Sequence, residues 1–195
     1  MSATLTDADF ARAAKELNVE EAAVRAVAEV EAAGKGFLPD GRPAILYEAH
    51  IFHKHTKGGH TAAKDRRGVL LSTGKWDRSL YGAHGAHQHE RLEDAAKLDA
   101  TAANKACSWG AFQILGENYE AAGCRTIDEF VDKMHKGAAE HLDAFVAFIK
   151  ANELDKALRA RNWAAFARGY NGPSYAVNKY DTKMASAYAR WKAKK

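Results

Sequence analysis

The chain has 195 residues, 47% of them hydrophobic, with a net charge of +4, a pI of about 9.0 and two cysteines. That length suits one domain with a real core, and no run of about 18 apolar residues exists to span a membrane. Cys107 and Cys124 are too few for a disulfide scaffold and lack a Cys-x-x-Cys spacing, so both read as free thiols.

Thr6 with Asp9 caps a first helix whose buried stripe is Phe10, Ala14 and Leu17, and Asn18 breaks it. A second helix follows, rich in alanine and valine, with Gly34 and Gly36 as its stop signal. At about 100° per residue, Glu31 lies about 20° from Val24 on the apolar stripe, whereas Glu29 lies about 140° away. Glu29 follows Arg25 by four, the spacing of an exposed ion pair. Glu31 is therefore the carboxyl placed for desolvation, a raised pKa and general-acid work; spacing alone leaves open a solvated rim residue.

Asp40-Gly41 and two prolines make a turn, after which Ala44 to Phe52 reads as a short strand running into a helix. Leu46 and Glu48 share one strand face, Ile45 and Tyr47 the other; the pattern does not say which faces inward. From His53 to His89 periodicity is lost, and a long decorated excursion is expected, with Val69 to Leu71 as a small strand. His84, His87 and His89 lack a Cys or acidic partner at a recognised spacing, so they read as a solvated loop and no metal is expected.

Glu90 to Ala103 forms a helix with Leu92, Ala95, Ala96 and Ala102 on its apolar side. In Cys107 to Gly116, Trp109, Phe112 and Ile114 anchor the core. Gln113 is the one long amide there, either a buried structural residue or a group reaching into a cleft. Thr126 and Glu129 form a capping box before Phe130, Val131 and Met134. Leu142, Phe145, Val146 and Ile149 mark Ala138 to Lys150 as a central core helix, with His141 a packed or surface histidine. Asn162 caps a helix ending at Tyr170 and Asn171, and Asp181 to Lys195 closes the chain with Met184, Ala187, Tyr188 and Trp191 on one side. Its terminal lysines suit the helix macrodipole. The expected fold is mainly α with a small β element, a bundle around that core helix.

Glu31-Ala-Ala-Gly-Lys-Gly-Phe, Ser108-Trp-Gly-Ala-Phe-Gln-Ile and Tyr170-Asn-Gly stand in one order, with Gly-Arg-Pro-Ala-Ile-Leu-Tyr-Glu-Ala-His-Ile-Phe from Gly41 between the first two. This resembles the lysozyme-like superfamily of goose-type lysozymes and lytic transglycosylases. More closely it resembles the N-acetylmuramidase domain of phage and prophage endolysins, from about Ala22 to Trp191.

The resemblance implies an α+β lysozyme-like fold and a peptidoglycan hydrolase without cofactor, cleaving the β-1,4 bond between N-acetylmuramic acid and N-acetylglucosamine. Glu31 would be the general acid and Glu48 the second carboxylate, with Gln113, Tyr170 and Asn171 lining the cleft and Phe37, His50 and Trp109 as walls. The alternative is a lytic transglycosylase using Glu31 alone. Goose-type proteins keep the Gln motif nearer the catalytic Glu; the intervening excursion brings Trp76, Asp77 and Tyr81 to the cleft in roles the sequence does not assign. The expected partner is peptidoglycan alone, met by a monomer with one domain of residues 1–195 and no separate wall-binding domain. With no signal peptide, the enzyme would wait in the host cytoplasm for a holin-type partner. Its basic terminal helix is a candidate contact for anionic envelopes. A nucleic-acid module is disfavoured, because the cations are interleaved with acids.

Overall fold

The computed structural model describes residues 4–32 and 36–194. Helices α1 (Asp7–Leu17) and α2 (Glu21–Glu31) open the fold, α1 beginning in the expected capping box, where the Asp9 carboxylate accepts the Thr6 amide proton at 2.9 Å. Gly34, the expected stop after α2, lies outside the described residues.

Strand β1 (Ile45–Tyr47) pairs antiparallel with β2 (Cys107–Trp109), which pairs with β3 (Ile114–Leu115). Register decides the faces that the sequence left open. Opposed residues of an antiparallel pair share a face, so Ile45 stacks with Trp109 and Ile114, and Leu46 with Ser108 and Leu115. The first set, with Tyr47 and Cys107, is buried, leaving Glu48 on the outer face with Leu46 and Ser108. Glu48 also begins helix α3 (Ala49–His55).

The excursion is an ordered wrap. Val69 to Leu71 is no strand; a single bridge joins Lys64 and Leu70. Buried Arg91 pairs with buried Asp65 at 3.0 Å and donates to the carbonyls of Leu70 and Leu80. Tyr47 joins the wrap to the sheet by donating its hydroxyl proton to Leu71 O and its amide proton to Gln88 Oε1, at 2.7 and 3.0 Å. Removing Arg91 would strand the Asp65 charge, a loss on the order of 3–5 kcal/mol.

The expected helix from Glu90 to Ala103 is two, α4 (Ala86–Ala96) and α5 (Ala100–Lys105), because Asp99 caps a new start by accepting the Ala102 amide proton at 2.8 Å. His87 and His89 consequently sit in the first turn of α4 and not in a loop; His89 is buried and bonded to Pro43 O at 2.8 Å. In α6 (Ile127–Lys136) Thr126 caps as expected, but the Glu129 carboxylate takes the Arg125 amide instead of closing the box.

Helix α7 (Ala138–Ala151) buries Leu142, Phe145, Val146 and Ile149, each worth roughly 1.5–3 kcal/mol in transfer terms. Short α8 (Asp155–Arg159) leads to α9 (Trp163–Asn171), and a 3-10 turn over Pro173–Asn178 leads to α10 (Tyr180–Ala193). Helix α10 lies along α2. There Glu29 binds Arg190 and, at 2.8 Å, the Trp191 indole N–H. The expected Arg25 to Glu29 pair is not formed: Arg25 turns back to Glu21 and Asp7 at 2.7 and 2.6 Å, and its guanidinium covers the Phe10 and Trp191 rings. Among the described residues no helix is long and apolar enough to cross a membrane.

Candidate active site

A groove of about 520 Å³ has Glu31 in its wall together with Phe37, Pro39, His84, Gly110 and Gln113. Glu31 arrives at the end of α2, one turn beyond the buried Val27, so its carboxyl is drawn toward the core instead of solvent. Burial pushes its pKa up to about 7, offset only in part by the hydrogen bond from Asn171 Nδ2 to Oε2 at 3.1 Å. Among the described residues, the other oxygen, Oε1, and Asn171 Oδ1 are both buried without a hydrogen-bond partner. Unpartnered acceptors are costly in a protein interior.

Asn171 is the last residue of α9, and Gly172, at φ 80°, turns the chain sharply away behind it. Tyr170, one residue earlier, points elsewhere: its hydroxyl donates to Phe112 O at 2.8 Å and its ring packs against Phe145, Phe148 and Phe166. It braces the hairpin loop between β2 and β3.

That loop carries Gln113, which is exposed, holds φ 49° and donates from Nε2 to Gly110 O at 2.8 Å. Of its two readings, the cleft-facing one describes its position. Buried His141 fixes the loop from below. Its Nδ1 accepts the Ala111 amide proton at 3.1 Å, its Nε2–H donates to Met134 O at 2.8 Å, and its ring stacks on Phe37 at 4.7 Å. Gly110, at φ 71°, is required here, since a Cβ would fall 2.8 Å from the imidazole.

Glu48 sits apart, three residues along β1 from the groove-lining Ile45, roughly 10 Å at the rise of a strand. Both of its oxygens accept protons, Oε2 from Tyr81 at 2.9 Å and Oε1 from Ser108 at 3.2 Å, and His50 Nε2 lies 3.7 Å away. Trp109 was expected as a wall; at 1% exposure on the inner sheet face it is core, with its indole N–H on Asn104 O.

The structure thus brings Glu31, Phe37 and Gln113 to one groove, with Asn171 bonded to the Glu31 carboxyl, and Glu48 and His50 to a neighbouring cluster. Sequence reasoning missed Ser108, whose contact with Glu48 follows from strand register; of the two readings of His141, the packed one holds, through a contact across 30 residues. Among the described residues no group of three or more His, Cys, Asp or Glu could hold a metal ion.

Residues 20–192 match the family model described as Muramidase, N-acetylmuramidase. Among matching solved structures is the crystal structure of an endolysin of Burkholderia phage AP3, 45% identical, with a TM-score of 0.88 over 98% of this chain and 72% of that one. The search of curated proteins found no match.

Proposed function

The chain belongs to the N-acetylmuramidase family, as a glycoside hydrolase of the lysozyme type, and from that premise we propose that it cleaves the β-1,4 bond between N-acetylmuramic acid and N-acetylglucosamine with Glu31 as general acid. The observation that carries this is the Glu31 carboxyl, partly buried in a sugar-sized groove and raised to about 7. At neutral pH about half the molecules hold its proton, the condition for an acid that must give one up to a leaving oxygen. Asn171 Nδ2 anchors Oε2 of that carboxyl. Phe37 and Gln113 offer an apolar face and an amide oxygen to a sugar ring.

In this reading Glu48, fixed by Tyr81 and Ser108, is the second carboxylate, activating water or stabilising positive charge on the sugar. A lytic transglycosylase reading is favoured by one observation: Glu48 is not among the residues lining the Glu31 groove. There Glu31 would donate its proton and then take one from the sugar's own hydroxyl. Mass spectrometry of digested peptidoglycan separates the two. Reducing-end muramic acid is the expected product, and anhydro-muropeptides would overturn the hydrolytic step in favour of the second reading. An endolysin role, with release to the wall through a holin-type partner, belongs to the same proposal.

A further inference from the structure

Three large apolar side chains are exposed among the described residues, Trp76, Leu98 and Val177, and Trp76 alone of these is aromatic, with 62% of its surface open. An indole left in water is a cost without a packing reason, and beside the Glu48 cluster it has a use: the C–H face of a pyranose ring is apolar and flat enough to cover it. Trp76 is also held. Its Nε1–H donates to Tyr81 Oη at 2.8 Å, and that hydroxyl donates onward to Glu48 Oε2 at 2.9 Å. Asp77 caps the following turn by accepting the Ser79 amide and hydroxyl protons at 2.9 and 2.7 Å, and Gln88 holds Tyr81 O at 2.7 Å.

The same segment continues to His84 and Gly85, which line the Glu31 groove. One stretch of chain therefore borders both carboxylates. From the groove at Ile45 the chain reaches Glu48 three residues on, and the Tyr81 and Trp76 pair is joined to Glu48 by hydrogen bonds. A glycan strand whose scissile bond lies at Glu31 and which runs past Glu48 meets the indole next.

We propose that Trp76 is a stacking platform for an N-acetylhexosamine ring of the bound strand, a binding subsite beyond the cleaved bond, oriented by the Tyr81 bridge to Glu48. The proposal rests on the muramidase reading above. It assigns to the His53 to His89 excursion the task of extending the cleft.

The test has two arms on the full-length protein. In the kinetic arm, Trp76→Ala and Trp76→Phe are compared with the parent on purified peptidoglycan. Trp76→Ala is expected to raise KM about tenfold with kcat within about twofold, the scale of exposing one face of an aromatic side chain. Trp76→Phe restores most of the loss. In the binding arm, a β-1,4-linked tetramer of N-acetylglucosamine is titrated into Glu31→Gln, following tryptophan fluorescence; the response should disappear in Glu31→Gln/Trp76→Ala. An unchanged KM for Trp76→Ala, a loss confined to kcat, or a fluorescence response that survives the double substitution would each overturn the platform. So would a parent dimer that Trp76→Ala dissociates, since the indole would then be a self-contact. A parent that does not cleave peptidoglycan sinks the muramidase reading instead, and the binding arm still decides whether Trp76 holds sugar.

Discussion

Glu31 lines the groove and Glu48 sits in the neighbouring cluster, three residues along the chain from the groove-lining Ile45, and their surroundings differ in kind. Glu31 is partly buried, receives a single hydrogen bond from Asn171, and keeps one oxygen without a partner. Glu48 has a hydroxyl donor on each oxygen, from Tyr81 and Ser108. Poor solvation favours the neutral acid, so the first can carry a proton at neutral pH, and burial does raise it to about 7. Saturated hydrogen bonding fixes a carboxylate in place, which suits a group whose task is orientation or charge. The proposed division of labour between two identical functional groups rests on what surrounds them.

The sharpest way to break that contrast is to remove the proton donor. Glu31→Gln keeps the shape and the Asn171 neighbour but has no proton to transfer, so clearing of cell-wall suspensions should fall by about 10²- to 10⁴-fold with KM little changed. Retained clearing would end the general-acid assignment.

The same substitution should leave the protein more stable at alkaline pH. The folded pKa of Glu31 lies near 7 against 4.5 for an ordinary carboxyl, so the folded state holds the proton more tightly. Its stabilising share is complete below about pH 4.5 and is lost as pH rises through 7, ~3 kcal/mol in all. Glutamine cannot ionise. Denaturant unfolding should therefore show Glu31→Gln gaining on the parent between pH 4.5 and pH 8, and a difference independent of pH would mean the carboxyl is solvated.

Glu48→Gln tests the other half of the contrast. Under hydrolysis it should lower turnover about 10²-fold, whereas a transglycosylase using Glu31 alone would keep nearly full turnover. Folding should be little affected, because the amide oxygen still accepts from one of the two hydroxyls.

These differences were unequally legible in the sequence. Helical periodicity brought out Glu31 because a carboxyl on an apolar stripe is visible within one turn of helix, and the motif order supplied Asn171 and Gln113. Glu48 was named through resemblance, but its environment was not, since Tyr81 and Ser108 lie 33 and 60 residues away and meet it only through the wrap and the strand register. Trp109 was misplaced as a wall for a related reason. A three-residue strand alternates faces, and only the pairing with Ile45 shows that its indole turns inward. The excursion looked like loop because its order comes from one buried ion pair, Asp65 to Arg91, and from side-chain bonds to backbone carbonyls. None of these produces a periodic pattern.

The smallest expected effect falls on Asn171, the one side chain among the described residues that hydrogen-bonds Glu31. Its amide proton favours the ionised acid, acting against the larger desolvation effect. Replacing it with alanine removes that restraint, so the Glu31 pKa should rise further above 7 and the alkaline limb of the activity profile should move to higher pH. At the same time Oε2 loses its anchor and the carboxyl can swing, which should cost kcat several-fold, on the scale of one hydrogen bond to the neutral acid. The two consequences point in opposite directions at high pH, where the variant keeps more of its acid protonated than the parent does. A pH profile of kcat/KM therefore separates them: a lower plateau with an upward-shifted limb is expected. A lower plateau with the limb unmoved would show that Asn171 holds substrate and not the acid, and that Glu31 owes its proton to burial alone.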